Sequence, residues 1–254
     1  MEQSDSKNYL SSEKEYFLNI ENYFNNSSGT FSEKLHAFPR FVPRQYLAYF
    51  LARTEIYKKI LSLHGSIFDF GVYRGSSLFT WNQLATIYEP YNHLRKIIGF
   101  DSFKGFSEIK EHDIAKKEFK LKFEGGMKFE NGYQELNRGI DLMNLNRPLG
   151  HVNNSDIING ILPETLKNYL EDHPETIVSL ANFGLGLYEP TVEILKLLKP
   201  RMQKGTVLVL EDLNQENWPG ETKALFEVFN ATEIHLERFP FSPHISYMII
   251  GGSE

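Results

Sequence analysis

The sequence contains no cysteine among its 254 residues. Disulfide bonds, a thiol nucleophile and cysteine-ligated zinc or iron–sulfur centres are therefore excluded. Basic residues are in the minority, because 27 lysines and arginines face 33 aspartates and glutamates, which gives a formal net charge of −6. A broad nucleic-acid-binding surface needs a basic face, so we expect no nucleic-acid partner.

Long apolar runs are missing as well. No segment approaches the roughly 20 apolar residues of a membrane span. The first residues, MEQSDSKNYLSSEKEYF, are polar and charged, unlike a signal peptide. The apolar fraction of 41% and the charged fraction of 24% are ordinary for a globular protein. We expect a soluble, cytoplasmic protein without a membrane partner.

Short apolar segments alternate with segments of helical periodicity along the chain. The predicted strands are SIFDF (66–70), KIIGF (96–100), GHVNN (150–154), TIVSLANF (176–183), GTVLVLEDLN (205–214), TEIHLERF (232–239) and ISYMIIGG (245–252). Because the middle strands are apolar throughout, they indicate a parallel sheet buried on both faces. The fold class is thus α/β with a doubly wound, mostly parallel sheet, closed by a terminal antiparallel pair.

Two regions lie outside this alternation. Residues 1–30 are polar and predict either a frayed tail or a short pair of capping helices. Residues from about 104 to 148 are charged and irregular, which is long for a loop and favours a lid or insertion.

Ligands of such sheets bind beyond the carboxyl ends of the strands. The first predicted strand runs into a glycine-containing turn, DFGVYRGSS (69–77), where glycine permits a tight turn and close approach of a ligand. Asp101 ends the second predicted strand, where a carboxylate can accept hydrogen bonds from both ribose hydroxyls. Each feature alone equally fits a plain βα turn or a cap. Together they indicate a cofactor that carries a nucleoside.

Three segments carry a family resemblance: GSIFDFGVYRGSS, KIIGFDSFKGF and LYEPTVEILKLLKPRMQKGTVLVLEDLN. They resemble the S-adenosylmethionine-dependent O-methyltransferases of the macrocin O-methyltransferase type, over roughly residues 38–250. The resemblance implies a seven-stranded methyltransferase sheet and an enzyme that methylates a hydroxyl of a sugar or glycosylated small molecule. It also implies S-adenosylmethionine as cofactor, a tail and helical cap over 1–64, a cofactor-binding domain over 65–254, and homodimerisation through the N-terminal helices.

Carried over by position, the resemblance places the cofactor against the turns after the first three strands. The methionine part lies at the first turn, the ribose at the second and the adenine at the third. The implied cofactor-binding residues are Asp69, Gly71, Val72, Tyr73, Gly75, Ser76, Asp101, Ser102, Phe103, Ser155 and Asp156. Asp156 equally fits a cap of the following turn.

The stretch LANFGLGLYEPT (180–191) departs from the family pattern. Members usually end this strand in Asp-x-Asp, whose first aspartate is a magnesium ligand and whose second is suited to act as general base. Here these positions are Gly184 and Gly186. The acidic pair after the next strand remains as Glu211 and Asp212, which the resemblance makes ligands of Mg²⁺.

The catalytic base is therefore unknown, and three interpretations stay open. The chain is a methyltransferase with another base, such as His151, His235 or His244, although a lone histidine is more often structural. Alternatively, it is a cofactor-binding relative with a regulatory or scaffold role. The third interpretation is a variant in which two aspartates were replaced.

Overall fold

The computed structural model describes residues 11–114 and 122–252. The helices in this part of the chain are α1 Ser11–Asn26, α2 Phe31–His36, α3 Arg44–Lys59, α4 Ser76–Tyr88, α5 Gly132–Asn144, α6 Glu164–Asp172, α7 Tyr188–Leu198 and α8 Pro219–Val228. The strands are β1 Ser66–Phe70, β2 Ile97–Asp101, β3 Ser155–Asn159, β4 Val178–Phe183, β5 Met202–Leu210, β6 Glu237–Phe239 and β7 Ser242–Ile249. Within the described ranges, none of the helices combines the length and apolarity that crossing a membrane requires.

The strands form one seven-stranded sheet in the order β3-β2-β1-β4-β5-β7-β6. The first five strands of this order pair in parallel, and β7 runs antiparallel to both β5 and β6. The predicted α/β class and the terminal antiparallel pair are confirmed. The chain order reverses between β1 and β4, which creates a crevice at the carboxyl edge of these two strands.

The central strands are buried because helices cover both faces of the sheet. Neighbouring residues of β1 pack into different clusters: Ile67 lies with Trp81 of α4, and Phe68 lies with Phe100 and Phe183. Successive side chains of a strand point to opposite faces, so both faces need apolar residues. Burying each large side chain contributes about 1.5–3 kcal/mol, which explains why the strands lack polar alternation.

The third predicted strand is wrong in position. The prediction placed it at 150–154, whereas β3 begins at Ser155 and pairs Ser155 with Ile97 and Asn159 with Asp101. This strand lies at the sheet edge, and its burial alternates between buried and exposed residues. An edge strand needs fewer apolar residues than a central one, so its apolar signal is weak.

The segments outside the alternation also contain regular structure. Residues 11–36 hold two helices, which is the capping-helix alternative, and α2 begins with a capping box between Thr30 and Glu33. Helix α5 lies within the segment predicted to be irregular, of which residues 115–121 lie outside the described part.

Candidate functional site

A cavity of about 230 Å³ opens at the carboxyl edge of the sheet. Its inner wall comes from the turns after β1, β2 and β4, and its outer wall from residues 105–113. Four predicted cofactor residues line it: Gly71, Tyr73, Asp101 and Ser102. The structure therefore brings the glycine turn and the acid after β2 into one site.

The turn after β1 requires glycine at two positions. Gly71 has φ +84°, and a Cβ there would lie 2.5 Å from the carbonyl oxygen of Gly184. Gly75 has φ +85°, and a Cβ there would lie 2.7 Å from the ring of Phe79. The backbone after β4 thus approaches Gly71 too closely for a side chain at that position, and both segments line the cavity.

The carboxylate of Asp101 joins the first two turns. One oxygen accepts a hydrogen bond from the backbone N–H of Tyr73 at 2.7 Å, and the other accepts from the N–H of Phe103 at 2.6 Å. Burial raises the pKa of Asp101. Each oxygen retains a second lone pair, so the carboxylate can also accept bonds from a ligand in the cavity.

Other predicted residues support the turn without lining the cavity. Val72 and Phe103 are buried in the hydrophobic core. Gly75 precedes α4 and Ser76 begins it, and neither lines the cavity. Phe103 has φ +55°, a left-handed backbone conformation that places its ring in the core.

The structure corrects the placement of Ser155 and Asp156. Both lie at the start of β3, at the amino edge of the sheet and away from the cavity. The hydroxyl of Ser155 donates to the side chain of Asn82, and the exposed Asp156 accepts a hydrogen bond from Asn153 at 2.8 Å. Neither residue therefore lines the cavity that holds Asp101.

The loop after β3 does line the cavity, through Gly160, Ile161, Leu162 and Pro163. It lies beside Asp101 of the neighbouring strand, whose backbone carbonyl accepts a hydrogen bond from the N–H of Gly160 at 3.0 Å. The sequence carries a signal for this loop, since glycine and proline in NGILP mark a chain turn after an apolar segment. An apolar loop of this kind suits the flat face of a nucleobase.

Asp69 lies behind the turn in a buried network. Its carboxylate accepts hydrogen bonds at 2.7 Å from the hydroxyl of Ser77 and from the side-chain amide of Asn182. The amide of Asn182 also donates to Glu211 at 3.1 Å, and Glu211 pairs with the guanidinium of Arg53 at 2.7 Å. Complete burial raises the pKa of Asp69 to about 7.

Arg53 and Asn182 are not among the residues predicted from the sequence. Arg53 is 3% exposed on α3, and Asn182 is 1% exposed on β4. Asn182 could have been found, because it is an amide in an otherwise apolar strand. A buried polar group needs a hydrogen-bond partner, so such a residue indicates a buried polar network. Arg53 offered a weaker signal, since an arginine in a helix is usually at the surface.

Gly184 and Gly186 differ in the space around them. A Cβ on Gly184 would have its nearest neighbour at 3.7 Å and would lie 3.9 Å from the carboxyl carbon of Glu211. Gly186 has φ +63°, and a Cβ there would lie 2.5 Å from the ring of Trp218. Only the first position has room for the family's aspartate without rearrangement.

Glu221 fixes the turn that contains both glycines. Its carboxylate is fully buried and accepts hydrogen bonds from the backbone N–H groups of Leu185 and Gly186 at 3.0 Å and of Asp212 at 3.2 Å. Burial, and next the nearby charge of Asp212, raise the pKa of Glu221. The turn after β4 is thereby tied to the end of β5.

The residues present do not fit a magnesium centre. Mg²⁺ demands near-octahedral oxygen ligands, but the Glu211 carboxylate already binds Arg53 and Asn182. The carboxylate of Asp212 lies 3.4 Å from the side-chain amide of Gln215. In the described ranges no three histidine, cysteine, aspartate or glutamate side chains are grouped to hold a metal.

One of the three candidate histidines lies near these acids. The ring of His244 stacks on Tyr49 with centroids 6.3 Å apart, and its Nδ1 lies 3.4 Å from the side-chain nitrogen of Gln215. That nitrogen also donates to the backbone carbonyl of Glu211 at 3.1 Å. His151 and His235 lie exposed at the surface.

The strand order, the glycine turn after β1 and the acid after β2 define a class of protein. They agree with the fold of a methyltransferase, with a crevice at the carboxyl edge of the sheet. No protein-family model matches the sequence, and no curated protein matches it either. Solved structures do match.

A structure described as CalS11, calicheamicin methyltransferase, has a TM-score of 0.91 and 30% identity, covering 96% of this chain and 95% of that one. A second structure, described as apo CalS11, TDP-rhamnose 3'-O-methyltransferase, an enzyme in calicheamicin biosynthesis, has a TM-score of 0.82 at 30% identity, covering 96% and 97%. The O-methyltransferase NovP, at 14% identity and TM-score 0.52 over 83% and 81%, is similar in fold. The chain belongs to the family of S-adenosylmethionine-dependent sugar O-methyltransferases that CalS11 represents.

Proposed function

We propose that this protein transfers a methyl group from S-adenosylmethionine to a hydroxyl of a sugar carried on a nucleotide. The observation that carries the proposal is the single cavity that joins the β1 turn to Asp101. This cavity lies in a chain similar along 96% of its length to CalS11, whose description names TDP-rhamnose as the molecule methylated.

The cofactor would lie along the inner wall of the cavity. Asp101 is suited to the ribose hydroxyls, because its carboxylate has unused lone pairs at the cavity surface. Ile161 and Leu162 offer an apolar surface to the adenine. Gly71 and Tyr73 would lie beside the methionine part, while Asp69, Val72, Gly75, Ser76 and Phe103 hold the turn in shape.

The acceptor sugar would lie on the outer side of the cavity. Lys110, Asp113, Glu189 and Glu193 line this side and provide the charged groups that bind sugar hydroxyls. The buried carboxylate of Asp113 accepts from the backbone N–H of Tyr188 at 2.7 Å, and Lys110 pairs with Glu189 at 2.5 Å. These two contacts hold residues 105–113 against the start of α7.

The bound cofactor would supply an electrophilic methyl group on a sulfonium. The protein's contribution would then be in-line positioning of the acceptor hydroxyl, which a shaped pocket provides without a covalent intermediate. A base near the hydroxyl adds roughly 10²–10⁴-fold. His244 is the candidate among the three histidines, because it lies beside the residues that follow β5.

A non-catalytic cofactor-binding role is the second candidate function. The glycines at 184 and 186 favour it, because the family's metal ligand and base are both missing there. Both functions require cofactor binding, and only the first produces a methylated sugar.

We also propose that the protein is a homodimer through its N-terminal helices. Several large apolar side chains on α1, α2 and α3 are exposed, including Leu18 at 81%, Phe31 at 74% and Leu51 at 54%. Exposed apolar surface of this kind is typical of an interaction site. Light scattering coupled to size-exclusion chromatography tests this, and a monomeric mass would reject it.

The cofactor assignment is tested by calorimetric titration with S-adenosylhomocysteine. We expect binding to the wild type and much weaker binding to Asp101→Asn, which removes the charge at the ribose. The matched control is Asp156→Asn, at the opposite edge of the sheet, which should bind like the wild type. If Asp156→Asn weakened binding and Asp101→Asn did not, the assigned site would be wrong.

A further inference from the structure

Resting on the proposed function, we propose that methyl transfer in this protein needs no divalent cation. Instead, the guanidinium of Arg53 provides the fixed positive charge beside Glu211. Arg53 acts as a positioning residue, because it contacts Glu211 and not the reacting atoms.

The geometry places Arg53 where a cation would otherwise bind. Its Nη2 lies 2.7 Å from Oε1 of Glu211, and the same oxygen accepts a hydrogen bond from Asn182 at 3.1 Å. The guanidinium carbon also lies 5.6 Å from the ring centroid of Tyr49. Glu211 is therefore already bound by one permanent cation and one amide donor.

The ion pair between Arg53 and Glu211 opposes the binding of a dication at Glu211. Arginine remains protonated at every accessible pH, and the Arg53 side chain is only 4% exposed. A metal ion at Glu211 would displace the guanidinium from its anion or lie against it. A buried charge that loses its partner is strongly destabilising, so a Mg²⁺ ion would have to compete with Arg53 and Asn182 for Oε1 of Glu211.

The neighbouring position supplies no compensating ligand. Gly184 has room for a side chain 3.9 Å from the Glu211 carboxyl carbon, yet it carries none. The absence of an acid at Gly184 and the presence of Arg53 are thus complementary. The missing carboxylate removes a metal ligand, and the arginine pairs with Glu211.

Two unsatisfied atoms in this network also suit a neutral ligand. Nε of Arg53 and Oδ1 of Asn182 are buried and have no hydrogen-bond partner among the described residues. An unpaired buried polar group is costly, so a bound molecule or water is expected to contact them. An oxygen of a hydroxyl or a water can accept from Nε of Arg53, whereas a metal ion cannot accept from an N–H.

The direct test titrates Mn²⁺, as a spectroscopic probe of magnesium sites, into the whole protein and follows its paramagnetic resonance signal. We expect no saturable binding by the wild type or by Arg53→Lys, which keeps the charge. The double variant Arg53→Gln with Gly184→Asp, checked for folding by circular dichroism, should gain a saturable site. Saturable binding by the wild type that Glu211→Gln abolishes would overturn the proposal, as would failure of the folded double variant to bind.

The activity arm compares methyl transfer to TDP-rhamnose in EDTA and in Mg²⁺. Equal rates support the proposal, and a rate lost in EDTA and restored by Mg²⁺ overturns it. If S-adenosylhomocysteine does not bind, or if no product forms in either EDTA or Mg²⁺, the proposed methyltransferase function is rejected. The Mn²⁺ result does not depend on turnover, so the two failures are distinguishable.

Discussion

Replacing Glu221 with alanine should destabilise the protein markedly, because its buried carboxylate is the shared acceptor for three backbone N–H groups. The three bonds, from Leu185, Gly186 and Asp212, measure 3.0, 3.0 and 3.2 Å. Each buried donor left unsatisfied costs about 1–3 kcal/mol. The carboxylate's own burial penalty offsets part of the total, so we expect a net loss of about 3 kcal/mol. For a chain of this size that corresponds to a melting temperature lower by about 6–12 °C.

The assay is urea unfolding of the wild type, Glu221→Ala and Glu221→Gln, followed by circular dichroism. Glutamine keeps one acceptor oxygen, which can still serve the N–H groups of Leu185 and Gly186. The glutamine variant should therefore lose about 1 kcal/mol or less. If alanine cost less than about 1 kcal/mol, or if glutamine cost as much as alanine, the account of this turn would be refuted.

The difference in stability between the wild type and Glu221→Gln should depend on pH. Burial raises the pKa of Glu221, so the folded protein binds this proton more tightly than the unfolded chain. The contribution of Glu221 to stability is then greatest at low pH and falls as pH rises above the ordinary carboxyl range. As the pH rises through this range, Glu221→Gln should become more stable relative to the wild type. If the difference in unfolding free energy stayed constant with pH, the pKa of Glu221 would not be raised in the folded protein.

Two further predictions concern the glycines and the base. Gly184→Asp should leave the unfolding midpoint nearly unchanged, because the nearest atom to its Cβ would lie 3.7 Å away. Gly186→Asp should lower the free energy of unfolding by about 2 kcal/mol or more, because its Cβ would overlap the Trp218 ring and its backbone is in a left-handed conformation. Equal urea midpoints for the two variants would refute this difference. If His244 is the base, His244→Asn should lower kcat by about 10²–10⁴-fold, while the exposed His235→Asn keeps the wild-type rate. Equal kcat values in a steady-state assay would remove His244 from the mechanism.

The central strands were predictable from the sequence, and β1 agrees with its prediction at both ends. Burial on both faces forces an apolar residue at every position of such a strand, and few other structures require this pattern. Asp101 was predictable for a related reason, since a charged residue that ends an apolar strand lies at the sheet edge where ligands bind. The edge strand β3 lacks this constraint, so its boundaries were wrong and Ser155 and Asp156 were assigned to the wrong edge.

The contacts behind the cavity could not be predicted. Arg53 and Glu211 are separated by 158 positions in the chain, and no local pattern encodes such a pairing. The same holds for Gly71, whose need for glycine comes from the approach of Gly184. The sequence shows Glu211 and Asp212 as an acidic pair, and without their partners this pair predicts a metal site. In the structure Glu211 pairs with an arginine.

The most direct measurement of the central claim is a transfer assay with purified protein, S-adenosylmethionine and TDP-rhamnose, with both products followed by mass spectrometry. If the protein is a sugar O-methyltransferase, the assay yields a sugar nucleotide heavier by one methyl group and an equal amount of S-adenosylhomocysteine. Folded protein that binds S-adenosylhomocysteine but forms neither product from any nucleotide-linked sugar would contradict the account, and would favour the non-catalytic role.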